Sequence, residues 1–184
     1  VLGGSSSTNA MAYVRGNAED YNRWAALGNK GWSYKEVMPY FKKSEHHEKF
    51  NSKYHSKEGE LYVSFAKYPN PLTAIFLKAC AESGIPYNED YNGEMQMGAS
   101  FLQFTIKNNQ RHSTAAAFLK PAMHRKNLTV ETNTLVRKII IKSGKAVGVE
   151  IFKENAEVEK FYSTKEVILS AGAIQSPVIL MHSG

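Results

Sequence analysis

VLGGSSSTNAMAYVRG, residues 1–16, is the stretch from which the rest of the chain can be read. Gly3 and Gly4, followed by Ser5, Ser6, Ser7 and Thr8, leave a main chain with little side-chain cover. Its N–H groups can therefore approach a flat or anionic ligand that bulkier residues would hold away. A flexible linker has a similar composition. A linker, however, does not run straight into Asn9-Ala10-Met11-Ala12-Tyr13-Val14-Arg15-Gly16, which mixes apolar, aromatic and cationic groups. The stretch is expected to be a ligand-facing loop.

Its counterpart at the other end is VILSAGAIQSPVILMHSG, residues 167–184. Residues 167–169 read as a short apolar strand that meets Ser170-Ala171-Gly172-Ala173 and opens into a helix. That helix is expected to carry Pro177 near its first turn and Val178, Ile179, Leu180 and Met181 inside. Small residues at such a junction can seat a phosphate on the helix N-terminus, where free N–H groups and the helix dipole favour an anion. Taken alone, these residues point first to tight strand-to-helix packing.

Between these ends, Ser33 and Glu36 form a capping-box pattern before Tyr34, Val37, Met38 and Phe41, which share one helical face. Pro39 lies inside that pattern and predicts a kink or two short pieces. Residues 61–65 read as a strand set off by Gly59. Asn70 and Pro71 start a helix with an apolar stripe of Leu72, Ile75, Phe76, Ala79 and Cys80, stopped by Gly84 and Pro86. Asp90-Tyr91-Asn92-Gly93 reads as a turn, residues 101–106 as a strand, and Asn108-Asn109 as a second turn. Ser113 caps a helix carrying Ala115, Phe118, Leu119, Ala122 and Met123, with Pro121 predicting a kink or an early stop. From Asn127 the character changes. Runs 128–132, 135–142, 146–152 and 158–162, divided by Asn133-Thr134, Ser143-Gly144 and Glu154-Asn155, describe a β-meander.

The composition excludes several classes. With 184 residues, 42% hydrophobic and 22% charged, the chain can bury a sizeable core, and it has no apolar run long enough for a transmembrane segment. The net charge of +6 comes from lysines spread along the chain beside acidic neighbours, so a solvated surface is expected and no nucleic-acid site. Cys80 is the only cysteine, which rules out an intramolecular disulfide and a multi-thiolate zinc site and is compatible with the cytosol. It is expected to be a small buried hydrophobe. Glu45-His46-His47-Glu48 invites a metal reading. On a helix, though, consecutive residues point about 100° apart, and no His-Glu-x-x-His spacing occurs. The run is expected to be the solvated charged end of the preceding helix, and no metal site is expected.

Residues 1–43 carry Asp20-Tyr21, Trp24-Ala25, Gly28-Asn29, Gly31-Trp32-Ser33-Tyr34 and Pro39-Tyr40-Phe41-Lys42-Lys43 after the opening loop. This region resembles the first signature of the glucose-methanol-choline oxidoreductases, and residues 167–184 resemble the second. Asn127-Leu128-Thr129-Val130 with Val136, Ala146-Val147-Gly148-Val149-Glu150, and Arg111-His112-Ser113 with Ala117-Phe118-Leu119-Lys120-Pro121 are similar to the family's pattern between them.

The resemblance implies an α/β fold made of pieces of a Rossmann-type FAD-binding domain plus part of a substrate-binding domain. Residues 1–32 and 127–184 would belong to the former and residues 33–126 mainly to the latter. It implies a non-covalent FAD held by Val1, Gly3, Gly4, Asn9, Ala10, Met11, Ala12, Val136, Ala171 and Gly172, with Val136 offering main-chain hydrogen bonds to adenine and Ala171 and Gly172 flanking the ADP half. Thr8 occupies the position of the histidine that carries a covalent flavin in some family oxidases. Neither the family's Gly-x-Gly-x-x-Gly turn nor its catalytic histidine occurs in these residues, and His112, His124 and His182 do not match that motif. No catalytic residue is therefore named. The chain is expected to be an internal segment, inactive alone, of an enzyme that oxidises a small-molecule alcohol, choline-like or another primary alcohol, by hydride transfer to flavin. Two other readings stay open: a flavin-containing member without net oxidation, such as a lyase, and a non-enzymatic basic binding module.

Overall fold

The computed structural model describes residues 1–154 and 157–184, a mixture of helices and small sheets divided into two units, Val1–Leu128 and Thr129–Gly184. Asn155, expected in a meander turn, lies outside the described residues. No helix among them is long and apolar enough to cross a membrane.

In the first unit, Gly4–Ser7 forms one turn of 3-10 helix. Helix α1 (Ala18–Ala26) starts at Asn17, whose side chain accepts the Glu19 N–H at 2.9 Å. Helix α2 (Tyr34–Ser44) has the Ser33/Glu36 capping box and runs unbroken through Pro39, not as two pieces. A single proline removes one donor, and the hydrogen bonds on either side can hold the helix together. Tyr21 of α1 packs edge-on against Phe41 of α2, with ring centroids 5.7 Å apart.

The chain then does something its local sequence does not announce. Glu45–His47 is not a solvated helix end but strand β1, paired in parallel with β2 (Leu61–Phe65), which pairs antiparallel with β3 (Gln103–Phe104). Gly59 permits the approach: a Cβ there would stand 2.3 Å from the Ser44 carbonyl carbon. Helix α3 (Pro71–Glu82) is capped by Asn70 as expected. Its expected stripe, however, is turned outward. Leu72, Ile75 and Phe76 are exposed, Leu77 is buried, and Cys80 is half-buried. The strand expected at 101–106 is two strands, β3 and β4 (Ile106–Lys107). Thr105 leaves the ladder between them by donating its N–H to Met11 and accepting that of His112. Asn108 and Asn109, at φ 52° and 60°, turn β4 into β5 (Gln110–Arg111). A π-helix (Ala115–Leu119) follows, and α4 (Lys120–Ala122) ends it just beyond Pro121.

In the second unit, β6 (Leu135–Lys142), β7 (Lys145–Phe152) and β8 (Val158–Tyr162) form an antiparallel meander in that order. Helix α5 (Gly172–Met181) belongs to the same unit, and Ser183, just beyond it, accepts the Ile139 N–H of β6 at 2.8 Å. Ile139, Ile151 and Ile179 are its buried core. Pro177 is the sixth residue of α5 and not in its first turn. Residues 128–132 and 167–169 form no strand. A strand exists only where another supplies its ladder, and none among the described residues does.

Gly148 of β7 faces Tyr162 of β8, and a Cβ there would lie 2.1 Å from the Phe161 carbonyl oxygen. Gly148→Ala must therefore push the two strands apart, with an expected loss of about 1–3 kcal/mol. Urea denaturation reads it as a lowered midpoint; an unchanged midpoint would mean that β8 can shift freely.

Candidate functional site: the opening loop and the helix N-terminus

Gly3 at φ 89° and Gly4 at φ 53° start the loop in a conformation that side chains disfavour. A Cβ on Gly3 would meet Ser7 Oγ at 2.5 Å and Ala115 N and Cβ at 3.2 Å, so Gly3 lies flat against the start of the π-helix. On Gly4 a Cβ would meet nothing within 4 Å, which marks the open side. Two hydroxyls fix the loop to the π-helix: Ser6 Oγ accepts the Thr114 N–H at 2.9 Å, and Thr114 Oγ1 donates to the Gly3 carbonyl at 3.2 Å.

Asn9 turns the chain. Its Oδ1 accepts the Met11 N–H at 3.0 Å, with Met11 at φ 63°. Arg111 Nη1 donates to Ser6 O at 3.1 Å, Asn9 O at 2.8 Å and Asn9 Oδ1 at 2.9 Å. The Asn9 side-chain oxygen therefore already serves the loop itself. Ala12 then bridges to Phe104: the Tyr13 N–H donates to Gln103 O at 2.8 Å and the Thr105 N–H to Met11 O at 2.9 Å. Because main-chain groups alternate along a strand, the Ala12 N–H points away from that pairing. Neither it nor the Ala10 N–H has a partner among the described residues, and both residues are exposed. Val1 is exposed as well.

The far end of the loop is anchored in a buried polar chain that the sequence reading missed. Arg15 pairs with Glu45, and its Nη1 donates to the Tyr54 carbonyl at 2.6 Å. Glu45 Oε1 is 2.7 Å from His55 Nδ1, and His55 Nε2 is 3.0 Å from both oxygens of Asp90. Asn92 accepts the Arg15 N–H at 2.8 Å and donates to the Tyr13 carbonyl at 3.0 Å and to Gln103 Oε1 at 2.8 Å. Arg15, Glu45, His55, Asn92 and Gln103 are all buried. Burial opposes charge on His55, but its hydrogen bonds to Asp90 and Glu45 outweigh that and hold it above the ordinary histidine value. Burial likewise opposes charge on Glu45 and Asp90, yet the hydrogen bonds from His55 keep both below theirs. Burial pushes the Tyr13 phenol up to about 12, so it stays neutral.

In the second unit, Val136 lies on β6 opposite Ile151, just before a register shift. Strand β6 is an edge of the meander, so its outer main-chain groups are not taken by β7. Gly172 begins α5 at φ 91° with open space where a Cβ would be, and no side chain caps the helix. Ala171 donates its own N–H to Ser176 Oγ at 3.0 Å, so its contribution would be its small size. In the first unit, main-chain donors without partners among the described residues at Ala10 and Ala12 and room above Gly4 suit a flat polar ligand; in the second, the uncapped N-terminus of α5 and room above Gly172 suit a phosphate. The two groups of residues belong to separate units.

The sequence profile of the GMC oxidoreductases matches residues 1–184. This chain belongs to that family. The family's cofactor is FAD, and the residues described above suit it. Over its whole length the chain is 48% identical to human mitochondrial choline dehydrogenase, covering 31% of that protein. It is 46% identical over 189 aligned residues to a glucose dehydrogenase (FAD, quinone) from Drosophila pseudoobscura pseudoobscura, covering 30% of it. Among solved structures it superimposes on an FAD-dependent oxidoreductase from Chaetomium thermophilum with a TM-score of 0.94 at 29% identity, using all of this chain and 34% of that one. The chain thus spans about a third of the length of the GMC relatives it matches.

The polar chain has a readable pH signature. His47, buried next to His55 with ring centroids 5.0 Å apart, accepts the Lys49 and Phe50 N–H groups on Nδ1, both at 3.1 Å. Its proton is therefore on Nε2, which has no hydrogen-bond partner among the described residues, and burial pushes the His47 pKa down to about 4. A histidine held neutral when folded destabilises the fold as pH falls from about 6.5 to 4, because only the unfolded chain then takes up the proton. His55 is raised, so its contribution is complete below 6.5 and is lost as pH rises through its folded value. Between pH 6.5 and 4.5 the slope should therefore come from His47, at most on the order of 3 kcal/mol, together with His112, which burial also holds below the ordinary histidine value. Denaturant titrations across that range should show His47→Gln flattening the decline; an unchanged slope would assign it elsewhere.

Proposed function

We propose that this chain forms part of the flavin site and of the adjoining substrate domain of an FAD-dependent enzyme that oxidises a small alcohol, choline-like or another primary alcohol. Residues 1–32 and 127–184 are assigned to the flavin domain and residues 33–126 mainly to the substrate domain. The observation that carries the reading is the stretch Asn9–Ala12, whose exposed Ala10 and Ala12 have N–H groups without a partner among the described residues, on a loop that Asn9, Arg111 and Gln103 hold in place. Membership of the GMC oxidoreductases, whose cofactor is FAD, supports that reading.

When bound, FAD supplies the acceptor for the hydride of the carbinol carbon. The residues of this chain hold and orient. Gly4 lets the main chain lie close to the cofactor, Gly3 seats the loop against the π-helix, Val1 is exposed beside them, and Ala10 and Ala12 offer donors. Asn9 and Met11 fix the turn between them, Val136 presents main-chain groups on an edge strand, and Ala171 and Gly172 open α5 toward a phosphate. A cleft of about 420 Å³ walled by Phe65, Tyr68, Tyr87, Phe101 and Phe104 is of the size that takes a small molecule. Phe104 also pairs its main chain with Ala12, which ties the cleft to the loop.

Because Thr8, not histidine, precedes Asn9, the flavin is held without a covalent bond at this loop. Acid precipitation of the full-length holoprotein should release all of the yellow cofactor, and anaerobic addition of the oxidisable alcohol should bleach it. Colour kept in the pellet would refute the non-covalent assignment. Bound flavin that no primary alcohol bleaches would point to a member without net oxidation, and a protein purified without flavin would overturn the reading as a whole.

A further inference from the structure

The loop is held from behind by one side chain that the cofactor reading does not use. Arg111 stands at the end of β5, just after the Asn108-Asn109 turn, and a single nitrogen of it serves three acceptors on Ser6 and Asn9. In a planar trans peptide the C=O and N–H groups point in opposite directions. Drawing the Asn9 carbonyl onto the guanidinium therefore turns the Ala10 N–H, which has no partner among the described residues, to the opposite side. The contact to Asn9 Oδ1 also fixes the oxygen that holds Met11 at φ 63°, a conformation that is unfavourable for a non-glycine residue. Among the described residues Arg111 has no carboxylate partner, so its charge is not neutralised. Arginine keeps that charge at every working pH.

We propose that Arg111 is a positioning residue for the flavin: it sets the Asn9–Ala10 peptide so that the Ala10 N–H faces the cofactor, and it keeps an unpaired positive charge on the other side of that peptide. The inference rests on the flavin reading above. Its two parts are separable. Geometry governs how tightly the oxidised cofactor is held, because a peptide free to rotate must be ordered on binding. Charge governs redox poise, because a nearby cation favours the more negative, reduced flavin and raises its potential.

The test uses the full-length holoenzyme and the variants Arg111→Gln and Arg111→Lys. FAD affinity is measured by fluorescence on reconstituted apoprotein, and the flavin midpoint potential by dye equilibration. Glutamine removes the charge and most of the donors. It should weaken FAD binding by about tenfold or more and move the potential to more negative values. Lysine keeps the charge but not the guanidinium's planar array of donors. It should keep a near-native potential while binding FAD more weakly than the parent. An Arg111→Gln protein with parental affinity or parental potential overturns the proposal. So does an Arg111→Lys protein with parental affinity, which decides the matter if the glutamine variant does not fold. Failure of the unaltered protein to bind FAD would instead overturn the flavin reading.

Discussion

Glu45 is the residue on which the first unit depends. Its two oxygens face Arg15 and His55, and through them it joins the end of the opening loop, strand β1, the segment after it and Asp90. Removing four charged groups from water is costly, and such a chain holds only when every member is hydrogen-bonded. That condition is met here by Tyr54, Ser56, Asn92 and Gln103. Burial on this scale does not add much net stability over an apolar core of the same shape. What it adds is register: Arg15 and Asn92 fix where the loop ends, to within a hydrogen bond.

The loop is thus a span between two fixed ends. At one end Gly3 lies against Ala115 and Ser6 is bonded to Thr114; at the other, Tyr13 and Arg15 are held by Asn92 and Gln103. Between them Arg111 restrains the middle. A site that binds through main-chain donors has no side-chain rotamers to adjust, so its precision must come from supports of this kind. On the proposed flavin reading, sequence changes in the supports would then alter binding without touching the ligand.

How much of this was legible in the sequence depends on how local each feature is. The capping box at Ser33, the Asn70-Pro71 helix start, the strand at 61–65 and the turns at Asn108-Asn109 and Ser143-Gly144 rest on neighbours in the chain, and they stand as read. Glu45-His46-His47-Glu48 misled because its local composition is that of a solvated helix end, whereas its partners come from residues 15, 55 and 90. Residues 167–169 have strand composition but no ladder among the described residues, and the α3 stripe is apolar but uncovered. Composition sets what a segment can do; the partner decides whether it does. For the candidate site, the glycines and Asn9 were visible as a pattern. Arg111 was visible only as part of the family's pattern, since nothing in Gln110-Arg111-His112 reveals three acceptors more than a hundred residues upstream.

The π-helix at Ala115–Leu119 gives the chain an unusual sensitivity to length. A wide turn accommodates one residue more than an ordinary helical turn, and losing it would rotate the downstream segment by about 100° relative to the upstream one. Thr114 and Ala115 grip the opening loop at its start, while Ala117 is buried two residues on. A single-codon deletion here could not preserve both contacts, although the removed alanine would carry no chemistry of its own. Along this stretch, residue count is inherited information in its own right, and an alanine can be replaced more safely than it can be omitted.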